Sequence, residues 1–375
     1  MDEVTRRAWA YVSRVAEPPN RLLTDLVARE GVVAAAERIR RRKVDSKLLR
    51  ATEARREIDC AADDLDALDR MGGRLLTEDD DEWPHLAFMA FRSADHEKRP
   101  HALSPLVLWA LGPSRLCDVA DRSAAIVGTR AATPYGEYVT ADLAAGLVER
   151  DVAVVSGGAY GIDGAAHRAT LASEGETVAV LAAGLDVPYP AGHSALLHRI
   201  GRHGLVVSEY PPGTRPTRRQ FLTRNRLVAA LGKATVVVEA GVRSGAANTA
   251  AWAEALGRSV CAVPGPITSS SSVGCHVLIR EEKAILVTRA AEVVELVGMV
   301  GELAPDRGRP ACEVDELSSE ELMVYEALPG RGVRSVEEIA VTAGMPATEV
   351  LGPLTMLNVR GLAIQEEGCW KLAKR

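Results

Sequence analysis

The sequence predicts an α/β fold: a mostly parallel sheet with helices on both faces, preceded by a helical segment and followed by a small helical unit with a hairpin. Three observations predict it. From Ser123 onward, short apolar, β-branched runs alternate with amphipathic stretches. A glycine-rich turn follows each run. The runs are apolar at consecutive positions, the mark of strands buried on both faces.

The elements follow in chain order. Thr5 to Ala67 reads as helical, with Val4, Trp9, Val12 and Val15 on one apolar face. Pro18-Pro19-Asn20 interrupts it, and Leu22 to Arg42 resumes it. Residues 1–67 are expected to form a helical domain. Its Arg- and Lys-rich end, Arg38 to Arg56, fits a solvated helix face; an auxiliary nucleic-acid contact is the other reading. Residues 73–121 look irregular, broken by Pro84, Pro100, Pro105 and Pro113. Strands are predicted at Ala124–Val127, Val152–Val155, Val178–Leu181, Leu205–Val207, Thr235–Val238 and Val260–Val263. Helices are predicted to start near Pro134, Ile162, Gly192, Leu222 and Ala246, giving one domain over 73–300. A linker over 304–312 carries Pro305, Gly308 and Pro310. Residues 313–375 then read as a winged helix: helices Ser318–Leu328, Ser335–Ala343 and Ala347–Arg360, then strands Gly361–Ile364 and Cys369–Leu372.

Composition narrows the function classes. The 375 residues are 47% hydrophobic and 26% charged, an ordinary soluble balance. A net charge of −6 means that any nucleic-acid surface must be local. The six cysteines show neither C-x-x-C nor zinc-finger spacing, so no metal site is expected and a reduced, cytoplasmic setting fits. Met1 to Ala10 has no apolar signal region, and no run reaches the roughly 20 apolar residues of a membrane span.

Ligands of open parallel sheets bind outside the carboxyl ends of the strands. There the chain carries Gly128-Thr129-Arg130, Ser156-Gly157-Gly158-Ala159-Tyr160-Gly161, Ala183-Gly184, Ser208-Glu209-Tyr210-Pro211-Pro212-Gly213 and Glu239 to Gly245, which includes Arg243 and Ser244. Bare amides and helix dipoles at such mouths make a row of anion sites, suited to a chain of phosphates. Pro211 to Lys233 adds Arg215, Arg218, Arg219, Arg224, Arg226 and Lys233 without one acid, and Asn225 and Phe221 lie among them. Arginines neutralise phosphates and an aromatic ring stacks on a base, so single-stranded DNA is the expected ligand. Phe221 as a core staple for its helix is the plainer alternative.

Enzymatic readings fare worse. Dinucleotide binding needs a carboxylate at the end of the next strand, where Leu181-Ala182-Ala183 stands. No cofactor is therefore expected. Asp163 and His167 sit four apart, a spacing that suits a structural cap as well as acid–base work. Glu239 beside Arg243 reads as an ion pair that shapes a loop. Phosphoribohydrolases of nucleotides, the rival class, carry a glutamate where Trp252 stands after Asn248-Thr249.

These motifs, together with Phe221-Leu222-Thr223-Arg224-Asn225-Arg226, Val263-Pro264-Gly265 and Gly274-Cys275-His276, resemble the DprA (Smf) family of DNA-processing proteins over about Gly73 to Val297. The resemblance implies an extended Rossmann-type domain that binds single-stranded DNA without catalysis. It implies protection of incoming DNA and loading of the RecA recombinase in natural transformation. It implies phosphate contacts at Arg130, Arg218 and Arg224 and a stacking ring at Phe221. A homodimer surface is implied near His276, Ile279 and Ile285. Tyr160 stands where the family often has Lys or Arg, which implies stacking there instead. Over 313–375 the chain has eleven acids against six bases, which points the C-terminal unit toward proteins rather than phosphates.

Overall fold

In the computed structural model, which describes residues 1–298, 314 and 317–373, five helices precede the first strand. They are α1 (Glu3–Val15), α2 (Arg21–Glu30), α3 (Val32–Arg40), α4 (Ser46–Thr52) and α5 (Ala61–Met71). Asp2, Asn20 and Asp45 cap α1, α2 and α4 through side-chain oxygens, satisfying amides that lack helical partners. β1 (Arg74–Leu76), α6 (His85–Phe88), β2 (Leu108–Leu111) and α7 (Leu116–Asp121) follow. The segment expected to be irregular thus contributes two short antiparallel strands. Each is only three or four residues long, too short for a periodic signal.

The predicted alternation then runs its course: β3 (Ser123–Val127), α8 (Pro134–Val148), β4 (Ala153–Ser156), α9 (Ile162–Ala172), β5 (Thr177–Leu181), α10 (Ser194–His203), β6 (Leu205–Ser208) and α11 (Arg218–Leu231). It continues through β7 (Ala234–Val237), α12 (Gly245–Ala255), β8 (Ser259–Ala262), α13 (Val273–Arg280), β9 (Ile285–Leu286) and α14 (Ala290–Val297). The sheet order is β1-β2-β6-β5-β4-β3-β7-β8-β9. Strands β3 to β9 pair in parallel, while β2 joins β6 and β1 joins β2 antiparallel. Because β3 lies between β4 and β7, the winding direction reverses there, and a crevice opens at such a switch point.

Strand residues alternate between faces. Ala125, Val127, Val178 and Val180 pack with α11 and α12 on one face. Ala124, Ile126, Val154 and Val236 pack with α8 and α14 on the other. Ala179, Leu181 and Val206 join Trp9, Tyr11, Leu26, Ile39 and Leu68 in a third cluster, so the N-terminal helices share a core with the sheet.

The C-terminal residues form a separate compact unit. It holds α15 (Ser319–Ala327), α16 (Val336–Ala343), α17 (Ala347–Val359) and the hairpin β10 (Ala363–Glu366) and β11 (Cys369–Leu372). Ser318 with Glu321, and Ser335 with Glu338, form capping boxes. Glu367 and Gly368 both have positive φ, as a two-residue hairpin turn requires. Val324, Ile339, Leu354 and Trp370 lie in its own core. The expected linker, 304–312, and the start of the C-terminal zone at Glu313 lie outside the described residues.

Candidate nucleic-acid interface

The interface begins with the cap of α11. Thr217 Oγ1 accepts the Gln220 amide, and Gln220 Oε1 accepts the Thr217 amide at 2.7 Å. Gln220 Nε2 also donates to Glu17 at 2.9 Å, which ties the helix start to the N-terminal helices. The helix therefore starts at Arg218, four residues before the predicted Leu222. Its first turns present Arg218, Phe221 and Asn225 toward the crevice at the switch point.

That crevice is a cleft of about 720 Å³, lined from the mouths of β3, β4 and β7 and from α11. The Phe221 ring is half-buried in it, so the core-staple reading does not describe it. The Arg130 guanidinium, on the loop after β3, lies 5.3 Å from the Phe221 ring centre. The Tyr189 ring lies 5.3 Å away, tilted by 47°. Arg130, Arg218 and Arg243 are exposed on the same cleft, and among the described residues none of the three pairs with a carboxylate. The basic stretch and Arg130 thus share one rim.

A buried acid organises the floor. Asp163 opens α9, and the Ala159 amide donates to its carboxylate at 3.4 Å. Burial raises its pKa, and the nearby Arg224 opposes that rise. Arg224 is buried too and donates to the Val180 carbonyl. Burial lowers its pKa to about 10, against the pull of Asp163. A Cβ at Gly157 would meet the Arg224 guanidinium, so a larger residue there has to displace that side chain. At Gly161 φ is +74°, and a Cβ would meet the Thr129 carbonyl.

This arrangement corrects several expectations. The Ala159 amide is engaged with Asp163 at 3.4 Å, and the Thr129 amide donates to Glu239 O at 2.7 Å. These two loop amides are therefore not bare anion sites, and the exposed positive charge on the cleft comes from side chains. Ser156 is fully buried and its hydroxyl donates to Ile126 O at 2.6 Å, out of reach of a ligand. Gly158 is buried, and its carbonyl meets His193 Nδ1 at 3.1 Å. Arg226 is fully buried and paired with Glu209 at 2.6 Å, so it cannot reach a phosphate. Glu239 does not pair with Arg243. It accepts from Thr133 N at 3.0 Å and Thr133 Oγ1 at 2.6 Å and holds the start of α8. Asp163 and His167 do not form an acid–base pair: His167 Nδ1 meets Thr177 Oγ1 at 2.8 Å inside the core.

The remaining expected residues fall as follows. Arg224 and Asn225 line the cleft from its floor, and Asn225 Nδ2 donates to Gly245 O at 3.3 Å and Asn248 Oδ1 at 3.2 Å. Ser244 caps α12, whose first residue, Gly245, lies open at the cleft. Tyr160 is exposed but outside the cleft lining; its hydroxyl accepts the Gly192 amide at 3.2 Å, and its ring meets His193 edge-on. Ile285 is exposed on the edge strand β9, whereas His276 and Ile279 are half-buried on α13. Of the N-terminal basic run, Arg38, Arg40, Arg41, Arg42 and Arg55 are each ion-paired, as a solvated face would be. Sequence reasoning missed Tyr189, whose signal was an aromatic between two prolines in a chain poor in aromatics. Among the described residues no helix is long and apolar enough to cross a membrane, and no cluster suits a metal ion.

Sheet, switch-point cleft and lining define a Rossmann-like α/β protein whose candidate site is open, arginine-rimmed and aromatic. Residues 74–298 match the family model of DNA recombination-mediator protein A, and the chain belongs to that family. A Mycobacterium tuberculosis protein named for DNA processing, DprA, is 65% identical over 374 residues, covering 100% of this chain and 96% of its own. Protein Smf of Escherichia coli is 38% identical over 240 residues, 63% of this chain and 64% of its own. The crystal structure of DprA from Streptococcus pneumoniae superposes with a TM-score of 0.64 at 30% identity, covering 80% of this chain and 99% of that one. DNA processing protein A from Helicobacter pylori, solved in a study of its single-stranded DNA binding mode, gives a TM-score of 0.51 at 27% identity, with 60% and 94% covered.

Proposed function

We propose that this chain binds single-stranded DNA in the switch-point cleft and carries out no catalysis. The observation that carries the reading is the meeting of Arg130, Arg218 and Arg243 with Phe221 on one open cleft. Guanidinium groups hold phosphates at low sequence specificity, and a ring stacks on any unpaired base. A duplex hides its base faces, so single strands are favoured. The reported DNA-binding mode of the Helicobacter pylori relative supports the same reading.

The finer role follows the family: protection of incoming single strands and handover to the RecA recombinase in transformation or recombination. A homodimer through the β9 edge, with exposed Ile285, fits that role. The C-terminal unit fits a winged helix. Its helix α17 carries Glu349 and exposed Leu351, Met356 and Val359, which suits a protein contact better than a phosphate backbone. A cytoplasmic location accords with these partners.

Fluorescence anisotropy with a labelled oligothymidine and a matched duplex tests the proposal. Single strands should bind markedly tighter than duplex at moderate salt. Equal affinity for both would refute the site reading. Incubation with nucleoside monophosphates should release no free base; release would favour the hydrolase class.

A further inference from the structure

We infer that Arg99 and Arg219 form a further phosphate subsite just outside the cleft, reached by a bound single strand that crosses α11 at Leu222. The inference rests on the single-strand reading and extends its footprint.

Two helices lead out of the cleft. Thr249 of α12 lines it, and Trp252, three residues on, shares that face of the helix. Leu222 of α11 also lines it, is 43% exposed, and accepts the Trp252 indole N–H on its carbonyl at 3.3 Å. Arg219 precedes Leu222 by three residues and shares its face, about 100° round the helix from Arg218. Arg219 and Trp252 do not line the cleft; they stand beside it, next to Leu222.

Arg99, on the loop between α6 and β2, lays its guanidinium over the Trp252 ring at 5.0 Å from the ring centre. Stacking uses the face of that group and leaves its N–H edge free for a phosphate. Trp252 is 7% exposed and bonded to Leu222, so it holds the edge in place before a ligand arrives. Arg219 is exposed, and among the described residues neither arginine pairs with a carboxylate. Of the two acids on the Arg99 loop, Asp95 is held by Lys98 at 3.2 Å, and Glu97 pairs with neither arginine. His101, two residues after Arg99, links the two groups. Burial lowers its pKa, and the charges of Arg219 and Arg226 lower it further, so the imidazole lies in the field of Arg219. Cations gathered without an acid repel one another, and a polyanion relieves that repulsion. A backbone that leaves Phe221 across Leu222 meets these two guanidinium groups next.

Anisotropy with oligothymidines of about 4 and about 16 nucleotides, the usual span of single-strand site sizes, tests the assignment on the parent, Arg99→Ala/Arg219→Ala and Arg99→Lys/Arg219→Lys. The short strand should bind all three alike. The long strand should bind the alanine variant roughly tenfold more weakly at about 0.15 M salt, with a log–log salt slope flatter by about 1.4, the loss of two phosphate contacts. The lysine variant should keep the parent's slope. Arg219→Ala alone, at an exposed position, should flatten the slope by about 0.7. An alanine variant that holds the long strand with the parent's affinity and slope would overturn the subsite and leave the single-strand reading intact. Equal losses for both lengths would overturn it too, because the arginines would then act on the cleft itself. Failure of the parent to bind either strand would overturn the subsite and the reading together.

Discussion

At the scale of residues, the arginines of one short stretch divide by burial into two jobs. Arg218 is exposed and free to meet a ligand, while Arg226, eight residues later, is sealed against Glu209. Breaking a buried pair strands a charge, so Arg226→Ala should cost about 3–5 kcal/mol of stability, whereas Arg218→Ala should change it by less than about 0.5 kcal/mol. Urea unfolding of the two variants checks this. His167 makes a second residue-level case. Burial pushes its pKa down to about 3, while in the unfolded chain it titrates near its ordinary 6.5. Between those values the unfolded state binds a proton that the native state refuses, so stability falls as pH drops. The loss from pH 6.5 to 5 should be about 2 kcal/mol, and His167→Gln should remove that slope. Denaturant midpoints across that range measure it. Burial explains which residues the sequence revealed. Arg218 and Phe221 were legible because charge and aromaticity cluster in one acid-free stretch, and Arg130 because it closes a strand-end glycine motif. The inward turn of Arg226 and Ser156 was not, because neighbours distant in the chain decide it.

At the scale of elements, the start of α11 is the joint on which the cleft depends. The Thr217–Gln220 capping box places Arg218 and Phe221 on the first turn, and Gln220 reaches Glu17. Thr217→Ala should lower stability by about 1 kcal/mol and weaken DNA binding together with it, measured by urea unfolding and anisotropy on the same preparation. Each predicted strand of the alternating zone is present within about a residue at its ends, because consecutive apolar residues and glycine turns carry that pattern locally. β1 and β2 escaped notice because they are short and pair antiparallel at the sheet edge, where tertiary packing sets their state. The start of α11 was placed late because its first turn is polar and basic, and apolar periodicity begins only after it.

At the scale of the whole molecule, a net charge of −6 coexists with a concentrated positive rim. The attraction for a polyanion rests on a few exposed guanidinium groups, those of Arg130, Arg218 and Arg243. Such an interface should be strongly salt-dependent, and removing single arginines should change its slope, whereas removing a ring should not. The direct measurement is the salt dependence of oligothymidine affinity for the parent chain, Arg130→Ala/Arg218→Ala and Phe221→Ala. For single strands each lost phosphate contact flattens the log–log slope by about 0.7, so the double variant should lose about 1.4. Phe221→Ala should bind roughly tenfold more weakly at every salt concentration with its slope unchanged. A double variant that keeps the parent's affinity and slope would contradict the account.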